Sequence, residues 1–167
     1  REIDIAAGQP PTARGYTPSV FSAIPELCER CGSVEGGGSL TAMYTVLVEG
    51  DDHTEPIADT LRATLDGQIV LSRDLANEGH FPAIDVLHSI SRLERSLLAP
   101  EVLAQAGTLR QLLSVLHRHR EMVDMGLYKP GANPELDRAL AKDSAITGFL
   151  RQRLDETSDP DRTRALL

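Results

Sequence analysis

The chain has 167 residues, of which 41% are hydrophobic and 25% charged, a balance that supports a packed globular core and excludes a disordered or fibrous chain. No apolar run approaches the roughly 20 residues that cross a bilayer, and the opening Arg1-Glu2-Ile3-Asp4 has no signal-peptide character. The net charge of −8 argues against nucleic acid or an anionic membrane surface as the main partner.

In chain order, Gly8 to Pro18 is rich in Gly and Pro and reads as loop. Thr17 is placed as an N-cap with Pro18 at the first helical position. Val20, Phe21, Ile24, Leu27, Cys28 and Cys31 follow at helical spacing as one apolar stripe, with Pro25 expected to kink or restart the helix. Gly36-Gly37-Gly38-Ser39 breaks the chain. Leu40 to Val48 is apolar and β-branched without strict alternation, the pattern of a strand buried on both faces of a parallel sheet. An acidic loop, Glu49 to Glu55, leads to a helix opened by Pro56, with Ile57, Leu61 and Leu65 on one face. Asp66-Gly67 turns into a short strand, Gln68 to Leu71, and Ser72 caps a helix that ends at Gly79. This alternation predicts parallel α/β structure.

After about Ser91 the strand signals stop. Pro100 starts a long helix with Leu109, Leu112, Leu113, Leu116 and Val123 on one stripe. Gly126 to Asn133 is a loop, Asn133-Pro134 starts a further helix, and a last helix carries Ile146, Phe149, Leu150 and Leu154. The polar tail from Asp155 is expected to fray. Charge follows the same division: residues 1–91 hold 5 basic and 14 acidic side chains, residues 92–167 hold 12 and 11. The expected organisation is residues 1–97 as α/β, 98–155 as a helical domain and 156–167 as tail.

Few local patterns carry chemistry. Cys28-Glu29-Arg30-Cys31 raises zinc or redox use, but a structural zinc site needs four ligands and no second C-x-x-C or spaced His pair is present. Placed on an apolar helical stripe, the thiols read as buried and inert. His117 and His119 flank Arg118 at a spacing that does not face one point on a helix, so they read as solvated, and no metal site is expected. The glycine run lacks the Lys and hydroxyl of G-x-x-x-x-G-K-[ST] and reads as a turn. Phe81, before Pro82 in an aromatic-poor chain, either stacks on a base or anchors its loop in the core. Arg92, at the end of the α/β part, is on its own most often a salt-bridge partner.

Taken together, GQPPTARGYTPSVFSAIPELCERCG and GGGSLTAMYTVLVEGDDHTEPIADTLRATLDGQIVLSRDLANEGHFPAIDVLHSISR resemble the flagellum-specific and type III secretion ATPases, themselves similar to the catalytic subunit of rotary F-type ATPases. GLYKPGANPELDRAL and FLRQ extend the likeness more loosely into the helical part. The resemblance implies a fold class of α/β, the C-terminal half of a RecA-like parallel-sheet ATPase domain, followed by an all-α helical bundle. It implies that Arg92, in SISR, is an arginine finger reaching the neighbouring subunit's nucleotide, and that Phe81, in GHFPAID, stacks on adenine in its own subunit. EGDDHTEP, with Asp51, Asp52 and Glu55, matches a loop facing the ring's central channel, and residues 127–133, with Tyr128 and Lys129, a loop at the ring mouth. Both face a coiled-coil stalk protein. Cys28 and Cys31 fall where the family is not expected to carry a thiol pair.

The resemblance further implies an ATP-hydrolysing homohexameric ring that energises flagellar or type III protein export. Export-gate and chaperone–cargo components are the other expected partners, and contact with the membrane runs only through partners. ATP and Mg²⁺ belong to the full-length protein; none is expected on this chain, which lacks a phosphate loop and reads, from its start at Arg1, as an excised fragment, inactive alone. Two cysteines without secretion signals fit a reducing cytoplasm, and the resemblance implies a place there at the base of the export apparatus. The competing reading is a non-catalytic C-terminal module that binds stalk, chaperone or export substrate.

Overall fold

The computed structural model describes residues 1–48, 50, 52 and 54–167; of Ala13 only the backbone is described. By packing, the chain divides into two units, Arg1–Asp66 and Gly67–Leu167.

In the first unit a short helix α1 (Glu2–Ala6) precedes α2 (Pro18–Cys28). Thr17 takes the extended backbone of an N-cap, and Pro18 sits at the first position, where its missing N–H costs nothing. The Thr17 hydroxyl does not cap the helix. It is fully buried and donates to Asp4 Oδ2 at 2.8 Å. Pro25 stays inside α2 without ending it. The helix stops at Cys28, so Cys31 lies beyond it and off the expected stripe.

The glycine run is a turn, as expected. It joins β1 (Gly32–Ser33) to β2 (Ser39–Leu40) as an antiparallel pair, with Gly36 at φ 69°, a conformation that only glycine adopts freely. The long buried strand expected over residues 40–48 is not formed. Only Leu40 joins a ladder, and Met43 and Leu47 are 88% and 91% exposed. A strand buried on both faces needs a sheet neighbour on each side and helices over it, and no described residue pairs with residues 41–48. Helix α3 (Pro56–Thr64) starts at Pro56 as predicted, buries Ala58 and packs on α2.

In the second unit β3 (Gly67–Leu71) pairs antiparallel with β4 (Ile84–Ser91). A parallel pairing is not found among the described residues. The connection α4 (Arg73–Asn77) fits the sequence: the Ser72 hydroxyl accepts from Leu75 N–H, and Gly79 leaves at φ 68°. Strand β4 itself was not anticipated, although Ile84, Val86 and Ile90 supply its β-branched residues.

The β3–β4 ladder is irregular. Val70 pairs with Asp85 and Gln68 with Ile90, so residues 86–89 stand opposite Ile69 alone. Such a bulge strands backbone donors, and Asp85 takes them up. Its Oδ1 accepts from Leu87 N–H and His88 N–H, both at 3.0 Å, and Oδ2 lies 2.8 Å from His88 Nδ1. Ser89 Oγ donates to the Asp85 carbonyl and accepts from Val70 N–H. At the far end Gly67 approaches Ile90 so closely that a Cβ would stand 2.6 Å from its carbonyl oxygen.

The rest of this unit is helical: α5 (Glu94–Leu97), α6 (Pro100–Asp124), α7 (Pro134–Leu150) and α8 (Pro160–Leu166). Val115 of α6 meets Leu136 and Ala139 of α7 in the core, with Leu112, Leu116, Val123 and Tyr128 around them. Burying a side chain such as Leu136, which has no exposed area, contributes roughly 2–3 kcal/mol. Asn133 caps α7 by accepting from Glu135 N–H and Leu136 N–H. The two helices read after Asn133 are one, because nothing in Lys142-Asp143-Ser144 interrupts the backbone bonds; Leu154 lies outside it, fully exposed. The tail is not all coil: Asp159 accepts from Asp161 N–H and starts α8. No helix among the described residues is long and apolar enough to cross a membrane.

Two outcomes follow from the β3–β4 pair. Gly67→Ala drives a methyl into backbone that cannot move aside, and should cost about 1–3 kcal/mol in denaturant unfolding. Burial is the largest single influence on the Asp85 carboxyl and pushes it up, but the contacts with His88 and the hydrogen bond from Leu87 together outweigh it and hold the carboxyl below its usual range. Its stabilising effect is therefore present above the unfolded-state value, about pH 4, and fades as pH falls through the lower folded-state value. Asp85→Asn should lose about 1–2 kcal/mol at neutral pH, with the gap to wild type narrowing in acid.

Candidate functional site

Phe81 lies between α4 and β4 and is 56% exposed, too open to be a core anchor. Its backbone is nonetheless fixed. Gln152 N–H donates to the Phe81 carbonyl at 2.9 Å, tying the loop to the chain leaving α7. Gln152 Nε2 in turn donates to the Glu156 carbonyl and to Ser158 Oγ, which folds residues 152–158 back on themselves. Phe81 and Pro82 on one side, and residues 151–156 on the other, line an open cavity of about 920 Å³. An exposed ring on a firmly held backbone, beside a space of that size, can stack on a flat heterocycle.

Arg92 follows β4 directly and is exposed. Phe81 and Arg92 therefore stand at opposite ends of β4, and the cavity at Phe81 does not include Arg92. What connects them is the strand and its bulge. The Asp85 carboxylate, gathering the backbone of residues 87 and 88, sets where the chain re-enters the ladder at Ile90 and so where Arg92 leaves it.

The acidic loop is partly spoken for. Asp51, like Glu49, lies outside the described residues. Asp52 pairs with Arg14, and its Oδ1 accepts from Thr54 N–H at 3.0 Å. These bonds, those from Thr54 first and the one from Arg14 after them, hold its carboxyl below the ordinary range. Glu55 is buried at 8% exposure and accepts from the Tyr16 hydroxyl at 2.8 Å. That bond, aided by burial, raises the Tyr16 phenol. Glu55 thus ties the start of α3 to the loop before α2 rather than offering a free charge.

Tyr128 is half-buried beneath its loop, donating to Asp137 Oδ1 at 2.7 Å; Asp137 Oδ2 accepts from Gly131 N–H at 2.9 Å. Burial, then this bond, raises the Tyr128 phenol. Lys129 is exposed, as are Met125 and Leu127, at 66% and 68%. The loop is therefore pinned from inside by Asp137 and presents one cation and two apolar side chains outward.

Sequence reasoning missed Asp85, whose Asp-x-x-His spacing was the available signal, and Gln152, visible only as part of FLRQ. Among the described residues no group of three or more His, Cys, Asp or Glu could hold a metal ion.

Residues 1–91 match the ATP synthase alpha/beta family, nucleotide-binding domain, and residues 98–167 match the T3SS EscN ATPase C-terminal domain. The flagellum-specific ATP synthase of Pseudomonas aeruginosa is 49% identical over 168 residues, covering 100% of this chain and 37% of the relative. The type 3 secretion system ATPase of Sinorhizobium fredii is 50% identical over 163 residues, covering 98% of this chain and 36% of that protein. Among solved structures, the assembled ATPase EscN from the type III secretion system of enteropathogenic E. coli superimposes with a TM-score of 0.95 at 38% identity, over 99% of this chain and 40% of that one. EscN in complex with its central stalk EscO gives 0.87 at 37% identity, over 99% and 39% of the two chains. The chain spans little more than a third of the curated relatives it matches. With residues 1–91 matching the nucleotide-binding domain and residues 98–167 a secretion-ATPase C-terminal domain, it belongs to the ATP synthase alpha/beta family, on the flagellar and type III secretion branch.

Proposed function

We propose that the complete protein is an ATPase that assembles as a homohexameric ring at the cytoplasmic base of a flagellar or type III export apparatus and energises protein export. The 167 residues then comprise the end of its RecA-like domain to about residue 97 and the helical domain after it. The observation that carries this reading is the exposed Phe81 ring held beside an open cavity at one end of β4, with Arg92 at the other end. A nucleotide whose adenine stacks on Phe81 has its phosphates served by the rest of the complete protein, because this chain has no G-x-x-x-x-G-K-[ST]. Mg²⁺ is held there too. Arg92, at the opposite end, serves a neighbour. Its planar, always-charged guanidinium can contact two phosphate oxygens as charge develops. A head-to-tail ring follows from that division of labour.

The exposed apolar side chains support the same reading. Met43, Leu47, Ile69, Leu71 and Ile90 are all more than half exposed. In the complete protein residues 40–48 enter a parallel sheet, which gives that run the neighbours it lacks here. Two loops are assigned to a coiled-coil stalk: the acidic one, through Asp51 and Asp52 with Glu55 fixing its exit, and the one carrying Tyr128 and Lys129. The solved complex of EscN with EscO, so close in fold, supports a stalk partner. Export-gate and chaperone–cargo components complete the expected set.

In the complete protein, Arg92→Ala should lower turnover on the order of 10³- to 10⁵-fold while leaving the fold and most ATP affinity intact, and Arg92→Lys should recover part of the loss. Mixed rings of Arg92→Ala subunits with subunits dead in their own phosphate loop should regain activity, one supplying the finger and the other the site. Mixed rings that exchange subunits yet stay as inactive as either mutant would rule out the trans role. The 167-residue chain alone, without detectable turnover, is the baseline.

Replacing Asp51 and Asp52 together with Asn in the complete protein should weaken stalk binding, most at low ionic strength, where steering by exposed charge is least screened. An unchanged affinity and salt dependence would remove the acidic loop from the stalk contact.

A further inference from the structure

The C-x-x-C motif did not fold as its sequence suggested. Cys28 is the last residue of α2 and Cys31 lies past it; both are free thiols and both are partly exposed rather than buried. Cys31 N–H donates to the Cys28 carbonyl at 3.2 Å, so residues 28–31 form a reverse turn. A turn of this kind brings its first and fourth Cα atoms within about 7 Å, and disulfides span about 4.4–6.8 Å. A third group stands over the pair. Tyr44 OH lies 3.3 Å from Cys31 Sγ and 3.2 Å from the Leu27 carbonyl, to which it can donate. With one proton and two neighbours, the phenol suits either state of the thiol. It donates to Leu27 while accepting from a protonated Cys31, and can turn that proton to the sulfur of an ionised one.

We propose that Cys28 and Cys31 are a redox-active dithiol that closes to an intrachain disulfide by exchange with a low-molecular-weight disulfide, and that the Tyr44 hydroxyl stabilises its reduced form. One thiolate attacks the disulfide and displaces one thiolate from it. The second cysteine then attacks the protein sulfur of the mixed disulfide and displaces the other. Two protein thiols are oxidised, one small disulfide is reduced to two thiols, and the two protons pass to solvent or to the departing thiolates. In a glutathione-buffered compartment such a bond is transient and reports redox state rather than holding the fold together. The hydrogen bond to Cys31, foremost, with burial behind it, pushes the Tyr44 phenol up to about 12. It therefore remains a donor throughout the range in which thiols titrate.

The test is equilibration of the 167-residue chain, without added reductant, in buffers of graded oxidised-to-reduced glutathione, followed by acid quench, alkylation and intact mass. The expected result is joint loss of both free thiols from a monomer two hydrogens lighter, with no glutathione retained. Cys28→Ser should instead hold glutathione on Cys31. Tyr44→Phe should still close the bond, with half-oxidation at roughly three- to ten-fold less oxidised glutathione, the scale of one lost hydrogen bond to the reduced form. Thiols that stay alkylatable in the most oxidising buffer, stable glutathione adducts on the wild-type chain, or disulfide-linked dimers would each overturn the dithiol. An unchanged or opposite midpoint in Tyr44→Phe would overturn the role of Tyr44.

Discussion

The carboxylate of Asp85 is the constraint on which the part of the second unit that carries Phe81 and Arg92 depends. A β-ladder in which one residue opposes residues 86–89 leaves backbone donors without partners. One carboxylate accepts from two of them and meets the His88 ring, so the irregular stretch stays within the strand. Phe81 precedes that strand and Arg92 follows it, and the bulge fixes the register in which the second end leaves the sheet. Burial alone would raise such a carboxyl; its hydrogen bonds outweigh that effect and keep it ionised.

The same economy recurs in the loops at residues 49–55 and 127–133, both proposed above to face a partner. Asp137 anchors Tyr128 and Gly131 from within, leaving Lys129 and Leu127 outward. Glu55 and Asp52 hold Tyr16, Thr54 and Arg14. Acidic residues that a sequence count treats as equivalent charges thus divide into those that shape a loop and those that can face another molecule. Of these carboxylates, Asp52 has its charge offset by the Arg14 guanidinium, while Glu55 and Asp137 keep theirs and are oriented by neutral donors.

The apolar surface has a related explanation. Met43, Leu47, Ile69, Leu71 and Ile90 are exposed in a chain that spans 37% of its Pseudomonas relative. Their residue types suit a buried sheet, and the sequence pattern reports that suitability whether or not the covering layer is at hand.

Local chemistry was legible in the sequence because its causes are local. Ser72 with Gly79, and Asn133-Pro134, mark helix ends through backbone groups a few residues away, Pro18 marks the start of α2 because it lacks an N–H, and the glycine run had to turn. The motifs in GHFPAID and SISR placed Phe81 and Arg92 by resemblance alone. What only the tertiary structure decided depends on partners distant in the chain. The ladder of β3 with β4 is antiparallel and bulged because of which donors find acceptors across it. Gln152 reaches the Phe81 carbonyl across 71 positions of sequence. Glu55 is withdrawn from solvent by Tyr16, and the two cysteines of a nominal helical stripe are separated by the end of the helix and joined by a turn. Periodicity and composition encode which residues can be buried; which acceptor meets which donor is settled only when the chain closes on itself.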